Sequence, residues 1–324
     1  MPTLVVNRKS GTARRFERGE LAARLAATAR AAGLTDVEVA VVHPRDIDRV
    51  LAEAARGGGE VWVGGGDGTL RAAARHVRAA GGTMAVLPLG TMNLLARDLG
   101  VPLDLDAAVR ALADAPVAPI DIGLVNDDLF LNKSALGLYP EMIIDRERRR
   151  RLFGYGKWPA MMRAMWRALR RHRRMDVVLT VDGIERQIST PALIVATSEY
   201  EFRTGRLFRR PSLRDGLLSV YVSHEKGWAG SVGQMAKMFL GTLHTDPELE
   251  IIRVPAVDIH FERSRAVAND GELDFIRGPL LYRVDRHGLN VRQPDPIPAA
   301  ADAWVPGRHR EFGAEPPPAP PLPL

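Results

Sequence analysis

Residues 61–69 read VWVGGGDGT, and a helix-like stretch follows them. An apolar strand thus passes through a glycine-rich turn into a helix. Glycines leave the backbone N–H groups of the turn unobstructed and permit positive φ angles. Successive N–H groups backed by a helix N-terminus form a concavity that suits phosphate. The stretch therefore predicts a phosphate-binding turn at the edge of an α/β sheet.

Asp67 is the charged residue of this turn. Its carboxylate would repel a phosphate unless a cation lay between the two groups. Asp67 therefore indicates a Mg²⁺–nucleotide complex, or a position near the group that is transferred. The alternative is that the turn only connects a strand to a helix and that Asp67 caps the helix.

A second turn of the same kind follows the next apolar run, residues 84–87. There the sequence PLGTMN leads into a short helix, which Gly100 and Pro102 bring to an end. The ends of successive parallel strands lie at the same edge of a sheet, where α/β proteins bind ligands. We therefore expect the two turns to face one ligand.

With these motifs the sequence resembles the lipid kinases built on the diacylglycerol kinase catalytic domain. Four motifs in order, over roughly the first 290 residues, are far more specific than any one of them. They are Gly65-Gly66-Asp67-Gly68-Thr69, then Pro88 with Gly90-Thr91, Asn93 and Ala96-Arg97, then Asp215-Gly216-Leu217, and finally Asp270-Gly271-Glu272.

Two departures from the family pattern concern the acceptor more than the kinase chemistry. The family's first motif is similar to Asn-Pro-x-Ser-Gly, whereas residues 7–11 read NRKSG without the proline. Met92 and Leu94 replace the small and acidic residues often found in the second turn.

The resemblance implies catalytic roles for three carboxylates. Glu272 would be the general base on the acceptor hydroxyl, and Asp270 would help to hold Mg²⁺ or the attacking group. Asp67 is the second candidate for the base. Local sequence alone favours a plainer interpretation, in which Asp270-Gly271 is a hairpin turn and Glu272 is a solvated side chain.

The resemblance also implies ATP and Mg²⁺ as cofactors. A second, structural Mg²⁺ would lie on Asp215 and on carbonyls near Ser212 and Leu217, although locally this segment is only a turn before a strand. His43 would contact adenosine, with a loop histidine as the alternative. The residues expected to bind the nucleotide are Asn7, Ser10, Gly11, His43, Gly64, Gly65, Gly66, Asp67, Gly68, Thr69, Gly90, Thr91 and Asn93.

The pattern along the chain predicts two domains and a tail. Residues 1–118 alternate strands and helices, which is typical of an α/β domain with a parallel sheet. Residues 119–293 are rich in strand pairs joined by turn residues and predict a mostly antiparallel β domain for the lipid acceptor. The last strands of similar folds lean back onto the first domain. Residues 294–324 are rich in proline and alanine and predict a disordered tail.

Bulk properties narrow the class of protein. The 324 residues carry a formal charge of +6 and include no cysteine, which excludes disulfides and thiolate metal sites. No apolar run reaches the ~18 residues that a membrane span needs. The N-terminus lacks the basic and apolar regions of a signal peptide. We therefore expect a cytoplasmic protein that rests at most on a membrane surface.

Residues 146–174 hold eleven arginines and one lysine. Within them the apolar residues follow a helical spacing, so residues 158–174 predict a helix with one apolar and one basic face. The apolar face suits packing on the β domain, and the basic face suits an anionic bilayer. No nucleic-acid partner is expected, because no recognised module or aromatic platform accompanies the charge. The apolar face comprises Trp158, Met161, Met162, Met165, Trp166 and Leu169, and the basic face Arg163, Arg167, Arg170, Arg171 and Arg174.

The sequence thus predicts an ATP-dependent lipid kinase with its active site in the cleft between the domains. The acceptor would be diacylglycerol or another lipid alcohol. One alternative is an NAD kinase, which shares the first turn but lacks the segment seen at residues 90–97. The other is a silent lipid- or nucleotide-binding protein, which the intact Asp67, Asp270 and Glu272 argue against.

Overall fold

The computed structural model describes residues 2–17, 19–144, 174–201 and 209–294. Residues 158–173 of the basic helix predicted at 158–174, and residues 295–324 of the tail predicted at 294–324, lie outside these ranges. Among the described residues, no helix combines the length and the apolar character that crossing a bilayer would require.

The N-terminal half alternates strands and helices and forms an α/β layer. Four strands pair in parallel in the order β2-β1-β3-β4. The apolar runs of β1, β3 and β4 are buried, as expected for central parallel strands, whereas that of the edge strand β2 is half-buried. The strands are β1 (Thr3–Asn7), β2 (Glu38–Val42), β3 (Glu60–Gly64) and β4 (Thr83–Leu87), and the helices are α1 (Glu20–Ala31), α2 (Ile47–Ala55), α3 (Asp67–Ala80), α4 (Leu94–Asp98) and α5 (Leu105–Asp114).

The C-terminal half is built from antiparallel strands. Six of them form a second sheet in the order β12-β11-β10-β7-β14-β15. The strands are β5 (Val117–Val125), β6 (Asp128–Phe130), β7 (Lys133–Gly137), β8 (Met175–Val181), β9 (Ile184–Thr190), β10 (Ala192–Ala196), β11 (Leu218–Ser223), β12 (Leu249–Val254), β13 (Ala256–His260), β14 (Arg265–Asn269), β15 (Glu272–Ile276) and β16 (Leu280–Arg292), with the helix α6 (Trp228–Leu240).

The last strand joins the two halves. β16 pairs in parallel with β4 at Asn290↔Thr83 and antiparallel with β13 and β5. The parallel sheet is thereby extended to ten strands, which include β8 and β9. One hydrophobic core surrounds the parallel strands, and another fills the space between the six-stranded sheet and the antiparallel strands. The predicted fold class is confirmed: an α/β N-terminal part followed by an antiparallel β-rich part.

Two predicted boundaries were wrong. Helix α3 begins at Asp67 and not at Leu70, because Gly66 takes the extended N-cap conformation and the helical turn starts directly after it. The apolar run Leu280–Val284 predicts a strand of that length, but strand β16 continues well beyond it to Arg292. Its second half is polar on one face, and pairing with β4 and β5 keeps it extended, which local sequence does not reveal.

Candidate active site

Three loops at the carboxyl ends of β1, β3 and β4 meet at one edge of the parallel sheet. Asn7 Nδ2 donates to Thr69 Oγ1 at 3.0 Å and joins the first loop to α3. The loops approach so closely that a Cβ at Gly90 would lie 2.8 Å from the carbonyl oxygen of Gly65. A Cβ at Gly11 would lie 3.1 Å from the carbonyl oxygen of Gly90. The three loops therefore pack directly against one another, although the predicted Gly64 is itself buried against the side chains of Val6 and Leu89.

Asp67 is the first residue of α3, and Gly66 is the N-cap. No side chain caps the helix, so the interpretation of Asp67 as an N-cap was wrong. The amide groups of the first turn thus point away from the helix without a side-chain partner at the cap. A Cβ at Gly66 would meet no atom within 4 Å, so the space beside this backbone is open. This geometry suits an anionic ligand at the helix N-terminus.

An open cleft of about 640 Å³ lies next to these loops. Ser10 Oγ is buried and has no hydrogen-bond partner among the described residues. His43 precedes a 3₁₀ turn, and its Nδ1 accepts a hydrogen bond from the amide of Arg45 at 3.4 Å. Three cationic side chains and one phenyl ring make the cleft suited to a phosphorylated aromatic ligand. Its lining residues are Arg8, Lys9, Ala13, Arg14, Phe16 and His43.

Asp270 occupies the turn between β14 and β15. Asp270 and Gly271 both have positive φ, 48° and 87°, as in the tight type I′ hairpin turn. The Asp270 carboxylate accepts three backbone N–H groups, from Leu131 at 2.7 Å, Asn132 at 2.8 Å and Lys133 at 3.1 Å. Burial raises the pKa of Asp270, and these three hydrogen bonds oppose the rise. The turn is therefore fixed to the start of β7.

Asp67, Asp270 and Lys133 form an electrostatic group. The pKa of Asp67 is raised to about 6 because burial, and after it the charge of Asp270, outweigh the opposing charges of Lys133 and Arg210. Burial lowers the pKa of Lys133, and both aspartates oppose this. Lys133 Nζ lies 4.7 Å from the ring centroid of Tyr139. The structure thus brings two sequence-predicted carboxylates together with one cation that the sequence analysis missed.

Glu272 reaches from β15 to the start of α3. Its side chain is 57% exposed, and its Oε2 lies 3.4 Å from Nη1 of Arg71. A Cβ at Gly68 would overlap the Glu272 carboxylate, whose Oε1 is the nearest atom. The carboxylate therefore lies against the backbone one residue from Asp67, where only glycine leaves room for it. It is accessible to a ligand in the same region.

Asp215 and its neighbours lie apart from these groups, in the turn before β11. Asp215 Oδ1 is buried and has no hydrogen-bond partner among the described residues, while Oδ2 lies 3.6 Å from Arg253 Nη2. Asp121 Oδ2 accepts the amide of Gly216 at 2.6 Å and fixes the turn. Ser212 Oγ accepts the amide of Arg214 at 3.1 Å. A buried carboxylate oxygen without a hydrogen-bond partner among the described residues suits a hard cation that keeps several waters.

Among the described residues, no three His, Cys, Asp or Glu side chains gather as a metal-binding group. A divalent cation at Asp67 and Asp270 would accordingly need waters or phosphate oxygens as further ligands, which is the usual situation of Mg²⁺.

Sequence reasoning missed the cations of the site. Lys133 and Arg71 stand at positions where the local pattern predicts only the start of a strand and a helical residue. The signal that could have marked Lys133 was its rarity, since it is one of five lysines in the chain and interrupts an apolar segment. Arg174, the described member of the predicted basic face, donates to the carbonyl oxygens of Ser189 and Glu225.

Comparison with known proteins agrees with this architecture. Residues 2–125 match the family model of the diacylglycerol kinase catalytic domain. Residues 148–291 match the model described as the YegS C-terminal NAD kinase beta sandwich-like domain. The two matches follow the α/β and the antiparallel parts of the chain.

Several curated relatives share sequence with the chain. A protein of Pseudomonas aeruginosa (strain UCBPP-PA14) named "Probable lipid kinase YegS-like" is 46% identical over 95 residues, which are 28% of this chain and 31% of the relative. The chain thus matches about a third of that relative's length. A protein of the same name from Pseudomonas fluorescens (strain Pf-5) is 29% identical over 289 residues, 86% of this chain and 93% of the relative.

Solved structures share the fold. One, described as a diacylglycerol kinase from Bacillus anthracis str. Sterne, superposes with a TM-score of 0.65 and 19% identity, over 90% of this chain and 96% of that chain. Another structure from the same organism gives a TM-score of 0.69 and 21% identity with the same coverage.

Proposed function

Since the chain belongs to the family of proteins with a diacylglycerol kinase catalytic domain, we propose that it is an ATP-dependent lipid kinase. It would transfer the γ-phosphate of ATP to a lipid hydroxyl, with diacylglycerol as the first acceptor to test. The observation that carries the proposal is the position of Glu272. An exposed carboxylate lies at the glycine-rich start of α3, one residue from the half-buried Asp67. The proposed base, Glu272, thus lies next to the helix N-terminus that would bind the phosphate.

The proposed reaction follows from this arrangement. Glu272 takes the proton of the acceptor hydroxyl, and the hydroxyl oxygen forms a bond to the γ-phosphorus. The bond between that phosphorus and the β–γ bridging oxygen breaks, and ADP leaves. Phosphoryl transfer requires mainly positioning and neutralisation of charge. The amides at the start of α3 and the ammonium of Lys133 are suited to that task.

Asp67 and Asp270 would hold Mg²⁺ with the phosphates, and Asp215 would hold a second Mg²⁺ with carbonyls near Ser212 and Leu217. When bound, Mg²⁺ neutralises the charge on the phosphate oxygens. Two observations support this fit. Asp215 Oδ1 is buried and has no hydrogen-bond partner among the described residues. Asp67 and Asp270 lie close enough for the charge of Asp270 to raise the pKa of Asp67, which a cation between them would relieve.

The nucleotide would lie along the three converging loops with its base in the basic cleft. Phe16 and His43 offer ring faces there, and Arg8, Lys9 and Arg14 offer charge for the phosphates. Ser10 and Thr69 add hydroxyls, and the buried Ser10 Oγ would gain the partner that it lacks.

We further propose the domain division at residues 1–118, 119–293 and 294–324, with the nucleotide in the first part and the lipid acceptor in the second. A lipid acceptor resides in a bilayer, so the protein would dock on an anionic membrane surface from the cytoplasmic side through residues 158–174. Replacing Arg163, Arg167, Arg170 and Arg171 with Gln should weaken sedimentation with anionic vesicles, and this loss should shrink as salt rises.

The direct test of the proposed function is incubation with labelled ATP, Mg²⁺ and a panel of acceptors. The panel contains diacylglycerol, monoacylglycerol, a sphingoid base and ceramide in mixed micelles, and NAD in solution. Label in one lipid supports the proposal. Label in NAD alone would assign the chain to the NAD kinase alternative, and no labelled product at all would contradict a kinase function.

A further inference from the structure

Arg71 is a buried arginine one helical turn beyond Asp67 on α3. Its side chain is only 2% exposed, although it is surrounded by charged groups. Nη2 donates to Oδ2 of Asp128 and lies 4.0 Å from Asp274. Nη1 donates to the carbonyl oxygen of Asn269 at 3.3 Å and to Glu272 Oε2 at 3.4 Å. One guanidinium therefore joins α3 to β6 and to the β14–β15 hairpin.

The two oxygens of Glu272 have different neighbours. Oε2 faces Arg71, and Oε1 lies against Gly68 at the start of α3. A carboxylate that is 57% exposed would otherwise sample many rotamers, because an exposed side chain is not confined by packing. The guanidinium of Arg71 and the backbone of Gly68 together restrict the Glu272 side chain. The oxygen that faces the phosphate-binding turn is the one that Arg71 leaves available.

Arg71 itself is held firmly. Asp128 binds it and also binds Arg75, which donates from Nε at 2.7 Å and from Nη2 at 3.1 Å. The carbonyl oxygen of Asn269 binds it directly before the Asp270 turn. Because a planar guanidinium binds several partners at once, Arg71 can hold α3 and the β14–β15 hairpin in a fixed relative position.

We propose that Arg71 is the positioning residue of this site, which fixes the Glu272 carboxylate over Gly68 and so aligns the base with the acceptor hydroxyl. This inference rests on the proposed function. Arg71 does not touch the reacting atoms in this scheme and acts through Glu272. A misplacement of about 1 Å in such a group lowers turnover about 10²-fold.

The experiment is a double-mutant cycle with a matched control. Wild type, Arg71→Gln, Glu272→Gln and the double variant are assayed for kcat and for KM of ATP with the best lipid acceptor. Arg75→Gln is the control, because Arg75 lies on the same helix and shares Asp128 but does not contact Glu272. We expect Arg71→Gln to lower kcat about 10²-fold while KM for ATP changes less than about twofold.

The double variant distinguishes positioning from a structural role. If Arg71 acts through Glu272, the double variant should be as slow as Glu272→Gln alone, within about twofold, and Arg75→Gln should match wild type within the same margin. Losses that multiply in the double variant would overturn the inference, and so would a full kcat in Arg71→Gln. Should Arg71→Gln lose its thermal unfolding transition, Arg71→Lys carries the same cycle, because it keeps the buried charge without the fork.

The two proposals fail differently. A wild-type protein that labels no lipid contradicts the proposed function. A wild-type protein that labels lipid beside an Arg71→Gln variant with equal kcat contradicts the role of Arg71 alone.

Discussion

The carboxylate of Glu272 lies directly against the backbone of Gly68, across 204 positions of sequence, and no side chain could stand between them. Gly68 does not need positive φ, since it is an ordinary helical residue in the first turn of α3. The requirement for glycine there comes from the close approach alone. The contact places a residue of the antiparallel half at the glycine-rich turn of the α/β half.

Gly68→Ala should therefore displace Glu272 and leave the nucleotide in place. A Cβ at this position overlaps the Glu272 carboxylate, whose flexible side chain can swing away without unfolding the protein. Loss of the base is expected to lower kcat about 10²-fold or more, while nucleotide affinity stays close to that of wild type. Steady-state kinetics and nucleotide titration by calorimetry measure the two effects. Unchanged kcat would mean that Glu272 does not act from this position.

Gly66→Ala should give the opposite pattern. No protein atom lies within 4 Å of a Cβ at Gly66, and its φ of −84° is ordinary for alanine. Folding should survive, and the new methyl group should obstruct only a ligand that approaches the backbone. Loss of a charged hydrogen bond to phosphate weakens nucleotide binding by about 10- to 100-fold. If this variant binds the nucleotide with wild-type affinity, the phosphate does not bind at the N-terminus of α3.

The half-buried Asp67 predicts a dependence of stability on pH. Its pKa is raised from 3.8 to about 6 in the folded protein, so folding favours the protonated form. Stability from this group is fully present below pH 3.8 and is lost as pH rises through 6. Relative to Asp67→Asn, the wild type should lose about 3 kcal/mol of unfolding free energy over this window. Urea unfolding of both proteins without Mg²⁺ at a series of pH values tests this. A difference that does not change with pH would contradict the raised pKa of Asp67.

The sequence predicted correctly those helices, strands and turns that are determined by neighbouring residues. The strand, turn and helix around Gly66 follow from apolar periodicity and glycine, and the strand pairs follow from their turn residues. The first turn of α3 was missed because three residues of a glycine-rich loop, Asp67, Gly68 and Thr69, lie in the helix and lack a helical apolar spacing.

Contacts that are distant in sequence could not be predicted in this way. Arg71 meets Asn269 across 198 positions, and Asp270 accepts the amide of Leu131 across 139. These contacts depend on pairing between distant strands, since β14 pairs with β7 in one sheet and β16 pairs with β4 and β5 in the other. The motif resemblance indicated that Asp67, Asp270 and Glu272 act together. It gave no indication of Lys133 or Arg71, because the cations stand outside the motifs.

The turn at Asp215 predicts stabilisation by Mg²⁺. If its buried Oδ1 ligates the ion, Mg²⁺ at about a hundred times its dissociation constant should stabilise the fold by about 2.7 kcal/mol. Asp215→Asn should abolish most of this gain, whereas Asp258→Asn, which alters an exposed ion pair with Arg283, should retain it. Thermal unfolding with Mg²⁺ and with EDTA measures the shift. An equal shift in Asp215→Asn and wild type would exclude Asp215 as a ligand.

Lys133 should set the pH at which Asp67 ionises. Its ammonium lowers the pKa of Asp67 and thereby opposes burial and the charge of Asp270. Lys133→Met removes that positive charge, so the pKa of Asp67 should rise above 6. The stability difference between Lys133→Met and Lys133→Met/Asp67→Asn should then develop at higher pH than the difference between wild type and Asp67→Asn. Lys133→Arg, which keeps the charge, should restore the original pH window. The same urea series measures all pairs. A window that stays in place in Lys133→Met would show that the ammonium does not act on Asp67, and its role would then be confined to the contact with Tyr139 and the turn.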